Sequence, residues 1–308
     1  MKNKVTVVGA GNVGASLAHM IAQSGIADVV LYDIAEGMPQ GKALDLSEAC
    51  PLWASASSVV GTNEYGPTTG SSVVVITAGL ARKPGMSRDD LLMANAKVVT
   101  GVVENTTKLS PRAVYIAVTN PMDVMAQLAF KVSGFDSKRV LGMGGILDSA
   151  RFRTFVAWEC GVSPEDVEAL VLGGHGDLMT PLPRFTTVKG VPITELLSKD
   201  RIDALVTRTK SGGAEIVALL KTGSAYYAPA ASTFQMVKAI LLDERRMLPC
   251  SAYLDGEYGV KDVYTGVPVI LGEGGLQRIV ELNLNEQERQ DFAKSVAAVR
   301  ELCGIINI

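Results

Sequence analysis

The chain contains two histidines, and imidazole is the side chain that exchanges a proton most readily near neutral pH. His175 lies in Gly173-Gly174-His175-Gly176-Asp177, directly after the run Val167–Leu172, where small neighbours leave room for a ligand. His19, between Ala18 and Met20 in a helical pattern, reads as a packed or surface residue. An acid/base histidine needs its second ring nitrogen oriented by an acceptor. Asp148, in Ile146-Leu147-Asp148-Ser149-Ala150-Arg151, is the carboxylate suited to that task. Arg151 follows three positions on, so one helical turn would present both the orienting carboxylate and a guanidinium fork matching a substrate carboxylate. Taken alone, those two residues also fit an ordinary i,i+3 surface ion pair.

A second cluster, Gly79-Leu80-Ala81-Arg82-Lys83-Pro84-Gly85-Met86-Ser87-Arg88, follows the strand-like run Val73–Ile76. Its glycines and proline suit a lid at the carboxyl end of a strand, where open α/β sheets bind ligands. Arg88 would polarise a carbonyl as charge develops on its oxygen, and Arg82 would neutralise a further substrate anion. A solvated basic loop tip is the alternative. Thr119-Asn120-Pro121, after Val114–Val118, adds the amide of Asn120 or is simply an Asn-Pro turn.

Gly9-Ala10-Gly11-Asn12-Val13-Gly14 follows the run Val5–Val8 and opens a helix whose apolar face includes Leu17, Ala18 and Ile21. In that context Gly9 would make the tight turn, Gly11 would let backbone N–H groups approach a pyrophosphate, and Gly14 would allow close helix–strand packing. Glycine turns also occur without ligands, but about 20 residues later the next strand ends at Tyr32-Asp33. Asp33 would accept from adenosine ribose hydroxyls and repel a 2′-phosphate, and Ile34 offers no neighbouring cation, so NAD is expected rather than NADP. Hydride transfer to a ketone leaves an alkoxide that needs a proton, and His175 would supply it.

Short β-branched runs alternate with helical patterns through the first half, which predicts a parallel sheet covered by crossover helices. The fold expected is α/β: an N-terminal doubly wound (Rossmann) domain over residues 1–145, then a C-terminal α+β substrate-binding and catalytic domain over 146–308. Long helices are expected around Ser149–Glu159, Ile202–Leu220 and Tyr226–Leu242, antiparallel strands between Met247 and Leu271, and a last helix over Asn285–Cys303. At 308 residues, 47% hydrophobic and 20% charged, two packed domains are ordinary. A net charge of −3 argues against a nucleic-acid partner. Four scattered cysteines without a C-x-x-C pair read as reduced, and no metal site is expected. No signal peptide or membrane-spanning run is evident, so a cytoplasmic protein without a membrane partner is expected.

GAGNVG at 9–14, Asp33, AGLARKPGMSR at 78–88, VTNP at 118–121, LDSAR at 147–151 and GGHGD at 173–177 together resemble the lactate/malate dehydrogenase family over essentially the whole chain. The resemblance implies His175 as proton acceptor in alcohol oxidation, with Asp148 as its partner and Arg151 as carboxylate clamp. It also implies that Arg88 polarises the carbonyl with help from Asn120, and that NAD lies near Gly9–Gly14, Asp33, Asn95 and Val118, Thr119 and Asn120. Members acting on lactate tend to carry Gln where Arg82 stands, and Thr where Ala225 stands. Closing Arg82 over a methyl group would leave a buried charge unpaired at a cost of roughly 3–5 kcal/mol, so the malate/oxaloacetate pair is the expected substrate. The alternatives are a lactate or broad 2-keto-acid enzyme and a catalytically silent NAD-binding module. Family similarity and apolar helix faces imply a homodimer or homotetramer.

Overall fold

The computed structural model describes residues 3–80 and 87–308. The first half alternates strand and helix: β1 (Lys4–Val8), α1 (Asn12–Ser24), β2 (Asp28–Tyr32), α2 (Met38–Ala49), β3 (Val59–Thr62), β4 (Val73–Ile76), α3 (Arg88–Leu109), β5 (Val114–Ala117), α4 (Met122–Ser133) and β6 (Val140–Gly142). The six strands pair in parallel in the order β3-β2-β1-β4-β5-β6. That order reverses direction beside β1, which creates the crevice where doubly wound sheets bind dinucleotides. The central strands are apolar at nearly every position because helices cover both faces. All four residues of β4 are fully buried, each Val contributing roughly 1.5–3 kcal/mol relative to exposure.

The second half begins with α5 (Gly145–Cys160). It continues through short strands β7 (Val167–Glu168), β8 (Val171–Leu172), β9 (Thr180–Pro181), β10 (Thr187–Val188) and β11 (Val191–Pro192), with α6 (Ile193–Leu196) after them. Helices α7 (Lys199–Leu220) and α8 (Tyr227–Leu241) precede a long hairpin, β12 (Arg246–Asp255) and β13 (Lys261–Gly272), then β14 (Gly275–Ile279) and α9 (Glu286–Ile305). The antiparallel strands expected between Met247 and Leu271 therefore form. They extend the parallel sheet through a single pairing of Ser251 with Gly142, making nine strands among the described residues. One apolar cluster runs through both halves, and a second, around Phe152, Val156, Val171 and Ile193, sits beneath α5.

Candidate active site

The glycine loop shows three different reasons for three glycines. Gly9 has φ +106°, and a Cβ there would stand 2.6 Å from the Ala78 nitrogen. A Cβ on Gly14 would stand 1.8 Å from the Gly9 carbonyl oxygen, so helix and loop touch at backbone distance. Around Gly11 nothing lies within 4 Å of the same position, and no side chain caps α1, whose N-cap residue is Gly11. The first-turn N–H groups at Asn12, Val13 and Gly14 thus have no side-chain cap at the positive end of a helix, next to the open position at Gly11, which fits a pyrophosphate. Asp33, just past β2, accepts from Ala10 N–H at 2.6 Å and Ala35 N–H at 2.9 Å. Those two bonds fix its carboxylate beside the loop.

The loops after β4 and β5 are tied to each other. Asn95, buried on α3, accepts from Leu80 N–H at 2.7 Å and donates to the Asn120 carbonyl at 2.8 Å. Thr119 Oγ1 donates to Ala78 O at 2.6 Å. Val118 is half-buried and the Asn120 side chain is exposed at the strand ends. Asn95 and Thr119 therefore act as struts between two loops. Arg88 opens α3, exposed, behind the Ser87 and Asp90 capping box. Arg82 and the centre of the basic loop, 81–86, lie outside the described residues.

The third group meets at the start of α5. Asp148, with a side chain 2% exposed, accepts from His175 Nδ1 at 2.8 Å through one oxygen and from Arg151 Nη1 at 3.2 Å through the other. The carboxylate selects the tautomer or ion with a proton on Nδ1. It leaves Nε2, which has no hydrogen-bond partner among the described residues, as the working atom. Arg151 Nε is buried without a partner. The guanidinium lies along α7 where Gly212 and Gly213 carry no side chain: a Cβ on Gly212 would come within 3.2 Å of Arg151 Cδ. Burial opposes a charged imidazole, but the charge and hydrogen bond of Asp148, with Asp123 further off, outweigh it and the repulsion of Arg151. The His175 pKa is raised above its ordinary 6.5.

The loop carrying His175 is pinned from three sides. Gly173 exchanges two backbone hydrogen bonds with Gly266 of β13, at 2.8 and 3.1 Å. A Cβ on Gly266 would lie 2.4 Å from the Gly173 oxygen. Gly174 N–H donates to Ser295 Oγ of α9 at 2.8 Å, and His175 N–H to Asp123 Oδ2 of α4 at 2.7 Å. Asp123 is buried, and its second oxygen accepts from Ser251 Oγ at 2.7 Å. Burial pushes its carboxyl pKa up. Sequence reasoning misses Asp123, although a carboxylate two residues after the Asn-Pro pair is a visible signal. It also misses Lys42, whose ammonium reaches the glycine loop. His19, read as a packed or surface residue, stacks on Trp53 with ring centroids 4.7 Å apart.

Residues 3–142 match the NAD binding domain of lactate/malate dehydrogenase, and residues 146–303 match that family's alpha/beta C-terminal domain. The chain belongs to the lactate/malate dehydrogenase family and is an oxidoreductase of its NAD-dependent kind. It is 57% identical over 306 residues to the malate dehydrogenase of Rhodopirellula baltica, covering 99% of this chain and 97% of that one. The malate dehydrogenase structure from Salinibacter ruber superposes with a TM-score of 0.95 at 49% identity, covering 99% and 97% of the two chains. The lactate dehydrogenase of Cryptosporidium parvum, solved with lactic acid and NAD, superposes at 0.97 with 42% identity, covering 100% and 98%. The backbone is thus shared by enzymes of both substrate types.

Proposed function

We propose that the chain catalyses the reversible NAD-dependent oxidation of malate to oxaloacetate, with His175 as acid/base and Asp148 as its partner. The observation that carries the reading is the Asp148 carboxylate holding His175 and Arg151 at once, 2.8 and 3.2 Å away, within one turn of α5. NAD, held by the glycine loop and Asp33, would supply the acceptor for the hydride of the malate carbinol carbon and, when reduced, the hydride for the reverse direction. In oxidation, neutral His175 takes the hydroxyl proton at Nε2, and Asp148 stabilises the imidazolium that results. In reduction the imidazolium returns that proton to the ketone oxygen. Arg151, its Nε unpartnered, clamps the carboxylate next to the reacting carbon. Arg88 and Asn120 contact the ketone oxygen. The NAD site comprises Gly9 to Gly14, Asp33, Asn95, and Val118 to Asn120.

The choice of a dicarboxylate rests on Arg82, since the fold accommodates lactate enzymes equally well. A guanidinium closed over pyruvate would be left without an anion, at roughly 3–5 kcal/mol. Oxaloacetate supplies the second carboxylate. The test is a paired NADH-consumption assay with oxaloacetate and pyruvate on the wild type and on Arg82→Gln. The variant is expected to move the oxaloacetate-to-pyruvate ratio of kcat/KM toward pyruvate by at least about 100-fold. An unchanged ratio would refute the role of Arg82, and no NADH consumption with either acid would refute the dehydrogenase reading.

A homodimer or homotetramer is supported by apolar side chains left exposed on the second half, including Trp158 at 63%, Leu219 at 76% and Tyr227 at 68%. No described helix is long and apolar enough to cross a membrane. The four free cysteines suit the reducing cytoplasm. The site offers small-molecule chemistry, with no nucleic-acid partner.

A further inference from the structure

Lys42 sits on α2 and is half-buried. Its ammonium donates to the Ala10 carbonyl oxygen at 2.6 Å. Ala10 is the second residue of the glycine loop, and its N–H is the one held by Asp33 Oδ2, also at 2.6 Å. Standard bond lengths keep the nitrogen and oxygen of one residue within about 3.6 Å, so the Lys42 cation and the Asp33 carboxylate stand within roughly 9 Å of each other. Among the described residues Lys42 has no carboxylate at ion-pair distance, and its bond to Ala10 occupies one of three ammonium donors. A half-buried ammonium bonded only to a neutral carbonyl is a cation without a counter-ion, placed on the loop that receives an anionic dinucleotide.

We propose that Lys42 is the counter-charge at the adenosine-ribose edge of the NAD site, and that it gives the chain a measurable affinity for the 2′-phosphorylated dinucleotide that Asp33 alone would exclude. This rests on the reading of the glycine loop and Asp33 as the NAD site. Asp33 cannot swing away from a 2′-phosphate, because backbone N–H groups hold both of its oxygens. Its neighbour Ile34, 86% exposed, supplies no donor. Lys42 has a flexible four-carbon stem that can leave Ala10 and meet the phosphate. NADH remains the preferred ligand, since Asp33 accepts from its ribose hydroxyls and repels the extra phosphate. The cation softens that repulsion.

Fluorescence titration of the full-length protein with NADH and with NADPH, without substrate, reads the proposal directly. Lys42→Gln keeps a donor for the Ala10 carbonyl but removes the charge, and Lys42→Arg keeps the charge. The wild type is expected to bind both nucleotides, NADH more tightly. Lys42→Gln should weaken NADPH about tenfold and NADH less than about threefold, whereas Lys42→Arg should hold the ratio of the two within about threefold of wild type. At roughly 1 M salt the selective loss should vanish, because the Debye length falls to about 3 Å. Equal weakening of both nucleotides in Lys42→Gln, or loss of its cooperative thermal unfolding, would make Lys42 a strut between α2 and the loop and overturn the proposal. Absence of NADPH binding by the wild type would overturn it too. Absence of NADH binding by the wild type would instead strike the underlying NAD reading.

Discussion

The two partners of Asp123 can be orphaned or kept satisfied by choice of substitution, which separates its hydrogen bonds from its charge. In Asp123→Ala the His175 N–H and the Ser251 hydroxyl, each 2.7 Å from a carboxylate oxygen, lose their acceptor inside the protein. A buried donor left unsatisfied costs about 1–3 kcal/mol, so with two of them the variant should lose roughly 2–6 kcal/mol of stability. In Asp123→Asn the amide oxygen accepts from His175 N–H, and the amide NH₂ donates to Ser251 Oγ, a hydroxyl that accepts as well as donates. Charge assistance is lost, but so is a carboxylate whose burial pushes its pKa up. The two effects oppose each other, and the expected change is within about 1 kcal/mol. Denaturant unfolding measures both variants. A raised folded-state pKa means that the carboxyl stabilises the fold fully below its ordinary 3.8 and loses that contribution as pH climbs through the folded value. Wild type should therefore lose stability relative to Asp123→Asn as pH is raised from about 4. Because the imidazole hangs from the peptide that Asp123 holds, Asp123→Ala should also lower kcat/KM for oxaloacetate about 100-fold. Equal destabilisation by Ala and Asn would refute the hydrogen-bond account, and a pH-independent difference between wild type and Asn would refute the buried charge.

Three further outcomes are expected. His175→Asn should abolish turnover while NADH still binds within about threefold of wild type by fluorescence; parallel loss of both would make the residue structural. Asp148→Asn should lower kcat/KM for oxaloacetate reduction by about 10²–10⁴. It should also move the alkaline limb of the pH profile to lower pH, because the protonated imidazole that reduction needs loses the carboxylate raising its pKa; an unmoved limb would show that Asp148 does not set that proton affinity. Gly14→Ala places a methyl where the Gly9 carbonyl oxygen is 1.8 Å away, so it should cost about 1–3 kcal/mol and weaken NADH binding. A variant with wild-type thermal stability would mean that loop and helix can separate freely.

Much of the fold is legible because its strands are buried on both faces. Runs such as Val5–Val8 and Val73–Ile76 need no partner to be recognised, and their alternation with helices implies the parallel sheet. Three elements escape such reading for physical reasons. β6 is three residues long, and β3 lies at the sheet edge with a mixed burial pattern. α4 is wedged between sheet and α9, and eight consecutive residues, Met122–Ala129, are buried. A helix covered nearly all round has no polar stripe, so its 3.6-residue period does not show. The hairpin β12–β13 is visible as strand, but its attachment to β6 through Ser251 and Gly142 depends on one register pair that local pattern does not encode.

The site divides along the same line. His175, Asp148 and Arg151 are legible because their chemistry demands particular side chains, and two of the three share a helical turn. The geometry adds what holds them. Three side-chain or backbone acceptors, from β13, α9 and α4, take the N–H groups of three consecutive residues, Gly173, Gly174 and His175. No local rule links Asp123, Gly266 and Ser295 to position 175, since each is separated from it by 50 residues or more of chain. Yet a buried N–H without an acceptor would be costly. Once His175 is placed on a buried loop, acceptors for that loop are required, and only the fold decides which elements supply them. A side chain's own chemistry is therefore readable from sequence, whereas the groups that satisfy its backbone are readable only in three dimensions.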